Sequence, residues 1–229
     1  MTETANEGLA AEALLSLLWL SSPALPIGAY AYSHGLEQAV AREFVTDEGS
    51  LVRWIRGVLA RQLATLDAPV MVRVRAAALA EDEALVLRWN SFLHAHRESR
   101  ELALEDAQLG AALTRLLKER IGATPWPYDE PLAYAAAYGV ACARFNVPER
   151  AAVSAFLFAF AENQVTAALK CLSMGQTAGQ RVLKELMAEI ESLTTSVLAR
   201  PDATLGSFAP GLSLASALHE AQYCRLFRS

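Results

Sequence analysis

The chain has 229 residues, near the size of one large domain on a prior of about 150 residues each, and 53% hydrophobic against 20% charged residues excludes intrinsic disorder. Its 44 Ala and 35 Leu far outnumber 14 Val and 4 Ile, so helix formers dominate and an all-α fold is predicted. A formal charge of -5 lacks the basic field that a phosphate backbone requires, so no nucleic-acid partner is expected.

Residues 1–8 read as a flexible N-terminal tail and 9–229 as a single all-helical domain, an orthogonal bundle of about ten helices. A first helix over 10–20 carries Leu14, Leu15, Leu17, Leu18 and Trp19, is apolar on nearly every side, and is expected to be buried. Pro23 and Pro26 keep the next stretch out of the helical region through Gly28. A second helix is predicted over 33–44. Asp47 is a good N-cap for 48–66, and Asp67 caps again for 68–80, with Pro69 tolerated in the first turn. Helices follow over 82–94 and 98–120. Asp129 and Pro131 open 132–145, and Pro148 opens a helix reaching residue 172. Gly175 punctuates the chain before a helix over 177–200. Pro201, Gly206, Pro210 and Gly211 mark a loop, after which Ser213 caps a last helix to Tyr223.

Three cysteines, Cys142, Cys171 and Cys224, lie far apart without a framework spacing, which argues against a disulfide-stapled secreted domain. The acidic start lacks the basic region of a signal peptide, and the apolar run 151–161 is half the length of a spanning helix. A soluble, cytoplasmic protein with no membrane association is expected.

No self-sufficient active site is legible. Gly175 to Arg181 has three residues between its glycines instead of four and no Lys-Ser/Thr pair, so it is no P-loop; Gly179 instead lets a neighbouring helix come close. His94 and His96 are two apart, on opposite sides of a helix, and His34 and His219 are isolated, so no metal site is preformed. No G-x-S-x-G elbow occurs, and acidic groups such as Glu81-Asp82-Glu83 sit at helix starts. No catalytic residue and no cofactor is assigned.

Two places are more polar or more aromatic than packing requires. Glu162, Thr166 and Lys170 step by four after an apolar run, and Gln176, Thr177, Gln180 and Arg181 open the next helix. These suit either a docking surface or an internal hydrogen-bond network. The last seven residues hold Tyr223, Arg225, Leu226, Phe227 and Arg228, residue types that anchor interfaces, unless the segment folds back onto its own core.

The run from Ser22-Pro23-Ala24-Leu25-Pro26-Ile27-Gly28 through Tyr30, Tyr32, Ser33, His34, Gly35, Leu36 and Glu37 resembles the N-terminal signature of the urease accessory protein UreF family. Trp54-Ile55, Asp67-Ala68-Pro69 and Glu98-Ser99-Arg100-Glu101 fall at the family's expected places. Glu162-Asn163-Gln164-Val165, Lys170 and Gly175 to Arg181 are similar to its central signature, and His219 to Ser229 to its closing motif. Ser173 stands where the family commonly has proline, and Cys224 where it has serine. The resemblance implies a non-catalytic scaffold for nickel insertion into apo-urease, a homodimer that binds UreD (UreH) and recruits the GTPase UreG, coupling GTP hydrolysis to metal delivery. It places Glu37, Lys170, Gln176 and Arg181 on a GTPase-facing surface. His219, Glu220, Gln222, Tyr223, Arg225, Phe227 and Arg228 fall on a separate UreD-facing one, within a partner-binding segment 201–229.

Overall fold

The computed structural model describes residues 10–121, 127, 128 and 130–229. The predicted tail over 1–8 and the predicted cap at Asp129 lie outside them. The described residues form an all-α fold with no strand, made of α1 (Ala11–Leu20), α2 (Leu36–Ala41), α3 (Glu48–Val58), α4 (Ala68–Leu79), α5 (Glu83–Ala95), α6 (Arg100–Ile121), α7 (Tyr134–Arg144), α8 (Glu149–Cys171), α9 (Gln176–Leu198) and α10 (Pro210–His219).

The predicted break at Asp67 does not occur. A π-helical segment, Leu59–Asp67, joins α3 to α4 without interruption, and Asp67 is itself helical, its side chain capping nothing. The wider π turn explains how Pro69 is accommodated inside a continuous rod. Proline lacks an N–H and crowds the carbonyl four residues back, which is Thr65. That carbonyl accepts from Gly206 N at 3.1 Å, and the Arg61 carbonyl accepts from Phe208 N at 3.1 Å, so the loop before α10 satisfies what the π turn frees. Asp47 does cap α3 as predicted, accepting from Ser50 N at 2.7 Å while Ser50 reaches back.

α4 is the central element, packed on α5, α7, α8 and α9. Its approach to α7 is close because Gly139 lacks a side chain: a Cβ there would stand 2.6 Å from the Met71 carbonyl oxygen. Gly179 plays the expected part between α9 and α8, where a Cβ would meet Val165 Cγ1 at 3.0 Å. One contiguous core runs from Leu17 to Phe227. α8 is long and apolar enough to cross a membrane by length and composition, yet Ala152, Val153, Phe156, Leu157, Val165 and Ala168 are buried in that core.

Three more predictions are corrected. α1 is not buried all round: Ala13, Leu17 and Leu20 face the core, while Leu14, Leu15 and Leu18 are exposed at 42%, 67% and 59%. The helix predicted over 33–44 shrinks to Leu36–Ala41, because His34 and Gly35 both take positive φ, 53° and 77°. α10 starts at Pro210, with Ser213 inside it, and stops at His219. It packs on α2 and α6, and that placement builds the site below.

Candidate functional site

α2 is short, so Glu37 in its first turn stays beside the residues that follow α10. Both of its carboxylate oxygens are taken. Oε1 accepts from Leu226 N at 2.7 Å and Gln222 Nε2 at 3.0 Å, and Oε2 accepts from Phe227 N at 3.0 Å and faces His219 Nε2 at 3.1 Å. The other nitrogen of His219 meets Glu101 Oε2 at 2.7 Å, and Glu101 Oε1 accepts from Arg225 Nη1 at 2.8 Å. His219 is fully buried, and both carboxylates are nearly so. The imidazole thus stands between two carboxyl groups, with one ring nitrogen within hydrogen-bond distance of each.

One turn further along α6, Glu105 repeats the arrangement. Its Oε2 accepts from Ser229 Oγ at 2.6 Å and its Oε1 meets His34 Nδ1 at 3.0 Å. The backbone completes the closure: Arg228 N donates to the Ala31 carbonyl at 2.9 Å, and Ser33 N to the Ser229 carbonyl at 3.0 Å. Ser33 is held in turn by Gln164, whose Nε2 donates to its carbonyl at 2.8 Å, and Asn163 Nδ2 reaches the Tyr32 carbonyl at 3.3 Å. The segment after α10 therefore folds back and is tied by buried acids to the stretch 31–37. Of the polar residues after the apolar run of α8, Asn163 and Gln164 belong to the internal network, while Thr166 and Lys170 stay exposed.

Beneath the stretch 20–34 lies a cavity of about 210 Å³, with Leu20, Leu25, Ile27, Leu63, Phe156 and Phe160 among its walls. Its polar side holds His34 and a buried triad in which Arg97 donates to Asp67 Oδ1 at 2.6 Å and to Asp106 Oδ2 at 3.0 Å. Burial opposes the charged form of both His34 and Arg97, but the carboxylates win. His34 is raised above its ordinary value because Glu105 outweighs desolvation, and Arg97 is held firmly protonated by Asp106 and Asp67. Burial alone pushes the Cys142 thiol up to about 12 and is the largest cause of a rise to about 11 for Cys171, where Glu37 adds to it.

The predicted interface residues fall into three situations. Glu37, expected on the GTPase-facing surface, is buried at the centre of this closure, a latch in which α2 and α6 hold α10 and the segment after it. His219 and Phe227, expected to face UreD, are buried as well. Glu220, Tyr223, Arg225 and Arg228 are exposed, and Gln222 is half-buried. Lys170, Gln176 and Arg181 are exposed near the α8–α9 junction. Arg181 pairs with Glu48 of α3 at 2.6 Å, and Lys170 Nζ lies 5.2 Å from the Phe227 ring centre. Through Glu37 and through Lys170 on Phe227, the two surfaces expected to be separate join each other. Sequence reading gave no site role to Glu101, Glu105, Asp67, Arg97 or Asp106: Arg97 and Asp106 stand nine residues apart, and the ion-pair partners of the others lie 30 or more residues away.

Fold and site together define an all-helical protein whose concentrated polar chemistry binds its own chain segments. The UreF family model matches residues 45–187, and the chain belongs to the UreF family. It is 44% identical to the urease accessory protein UreF of Alkalilimnicola ehrlichii and 42% identical to that of Marinobacter nauticus, in both cases over all of this chain and 99% of the relative. It is also 41% identical to 54% of the bifunctional urease accessory protein UreEF of Bordetella bronchiseptica. The chain is thus a urease accessory protein of urease maturation.

Proposed function

We propose that the chain is a cytoplasmic scaffold for nickel insertion that bridges UreD (UreH) and the GTPase UreG at apo-urease and couples GTP hydrolysis to metal delivery. The observation that carries this reading is the latch. It gathers residues of the N-terminal, central and closing motifs, Glu37, Gln164 and Phe227, into one network, and it leaves Lys170, Tyr223 and Arg225 at its outer edge. A bridging protein has reason to link two contact surfaces through a shared buried element. The fused relative, which joins two accessory proteins in one chain, fits a partnered life for this one.

A homodimer belongs to the same proposal. Leu14, Leu15 and Leu18 form an outward stripe at helical spacing with no cover among the described residues. The test is co-purification with UreD and UreG, comparing the wild type, Lys170→Ala and a truncation of the last ten residues, with sizing of Leu15→Asp beside them. The truncation is expected to lose UreD, Lys170→Ala the GTPase, and Leu15→Asp the dimer. A wild type that binds neither partner overturns the scaffold reading.

A further inference from the structure

Where α6 meets the segment after α10, a cleft of about 310 Å³ opens to solvent, with three arginines in its lining, Arg100, Arg225 and Arg228. Their situations differ. Arg225 is pinned: Nη1 is on Glu101 and Nε donates to the Gln222 carbonyl at 3.1 Å. Arg100 and Arg228 are exposed, and among the described residues neither guanidinium has an acidic or carbonyl partner. The cleft's acids do not answer them. Glu101 is engaged by His219 and Arg225, Glu105 by His34 and Ser229, which leaves only the exposed carboxylate of Glu220 against two unpaired guanidinia.

The cleft is not purely ionic. Leu104, one turn after Arg100 on α6 and 46% exposed, is part of its lining, and outside the lining Leu226 and Tyr223 are exposed at 66% and 105% on the segment after α10. Apolar anchors beside unpaired arginines are the composition of an interface core, and a guanidinium holds a carboxylate in a two-pronged geometry that neutral groups cannot replace.

We infer that this cleft is a receptor for an acidic segment of a partner protein, whose carboxylates meet Arg100 and Arg228 and whose aliphatic side chain lies on Leu104. This deepens the reading of the segment after α10 as a partner surface and rests on it. A phosphate ligand is disfavoured by the chain's net charge of -5, which supplies no basic field beyond the cleft itself.

The test titrates the full chain with a fluorescent capped peptide, Glu-Glu-Leu-Glu-Glu, against its all-Gln analogue. The acidic peptide is expected to bind at least tenfold more tightly than the analogue, and to weaken tenfold or more in R100E/R228E and steeply with salt, while R100K/R228K retains most of the binding. Equal binding of the two peptides, or full binding by the charge-reversed variant with unchanged circular dichroism, overturns the inference. So does stronger competition by inorganic phosphate or a short oligonucleotide than by free triglutamate. If UreD co-purifies with the wild type while no acidic peptide binds, the carboxylate receptor falls and the scaffold reading stands. If the truncation keeps UreD, the parent reading falls first.

Discussion

Two ionic regions tie distant parts of this molecule together, and they do so under opposite conditions. The latch joins α2, α6 and the segment after α10 through Glu37, Glu101, Glu105 and His219, all buried. The outer pair joins α3 to α9 through Glu48 and Arg181, whose side chains are 41% and 60% exposed. Distances are similar, with 2.6 Å between Arg181 and Glu48 and 2.7 Å between His219 and Glu101. Solvent makes the difference. Water and salt screen the outer pair, so breaking it releases two well-hydrated groups. In the latch, removal of one partner leaves another without solvent or a substitute, so the network is conditional on all its members. The outer surface can exchange its own partner for an external one at low cost, and the latch can be exchanged only as a unit.

The largest expected effect extends the comparison to a second buried ionic cluster, the Arg97 triad. Arg97→Ala leaves Asp67 and Asp106 facing each other without their cation and should cost about 3–5 kcal/mol, measured by urea denaturation. A loss as small as a surface change would show that water reaches the triad. Glu37→Gln comes next, removing the charge that holds Leu226 and Phe227 and costing about 1.5–3 kcal/mol. Hydrogen exchange at residues 223–229 should accelerate far more than in α4; uniform acceleration would mean the latch is part of the global fold and not a separable element.

A smaller effect sharpens the comparison through pH. His34 is raised above its ordinary value of 6.5 by Glu105, so its contribution to stability is complete below pH 6.5 and is lost as pH rises through the higher folded value. Denaturation at pH 5.5 and 8.5 should show this loss, and Glu105→Gln should abolish it; a pH dependence surviving in that variant would point to another group. The smallest effect is at Arg181→Ala, where the melting temperature should not move beyond error while GTPase recruitment falls. A large drop in melting temperature would show that α3 and α9 depend on this pair.

The α-helical class, most helix positions, the Asp47 cap and the close approach at Gly179 were legible because local chemistry decides them. Propensity, capping and the absence of a side chain act within a turn or between adjacent elements. Asp67 was misread for a physical reason. As a capping residue type before a proline it looks like a helix start, and only the loop at 206–208, nearly 140 residues away, supplies the donors that let the helix continue. α1 was misread because apolar residues on every side mean burial only if something covers every side, and Leu15 has no cover among the described residues. Glu37 was placed on an outer surface because a motif position tells that a residue matters and not which way it points. The acids Glu101 and Glu105 carry no signal of their own: two glutamates four apart at a helix start match an ordinary solvated face until α10 and the segment after it are laid across them.

The closing bonds of the latch have a consequence in time. Ser33 and Ser229 are 196 residues apart, and every bond from Glu37 to the segment after α10 spans more than 180. During synthesis at about 5–20 residues per second the helices can dock as they emerge, but the latch has to wait until the chain is made through Phe227. Until then Glu37, Glu101 and Glu105 lack the partners that α10 and the segment after it supply, and the region around them is open. The order of assembly thus gives this protein a window in which that region is open before it first closes.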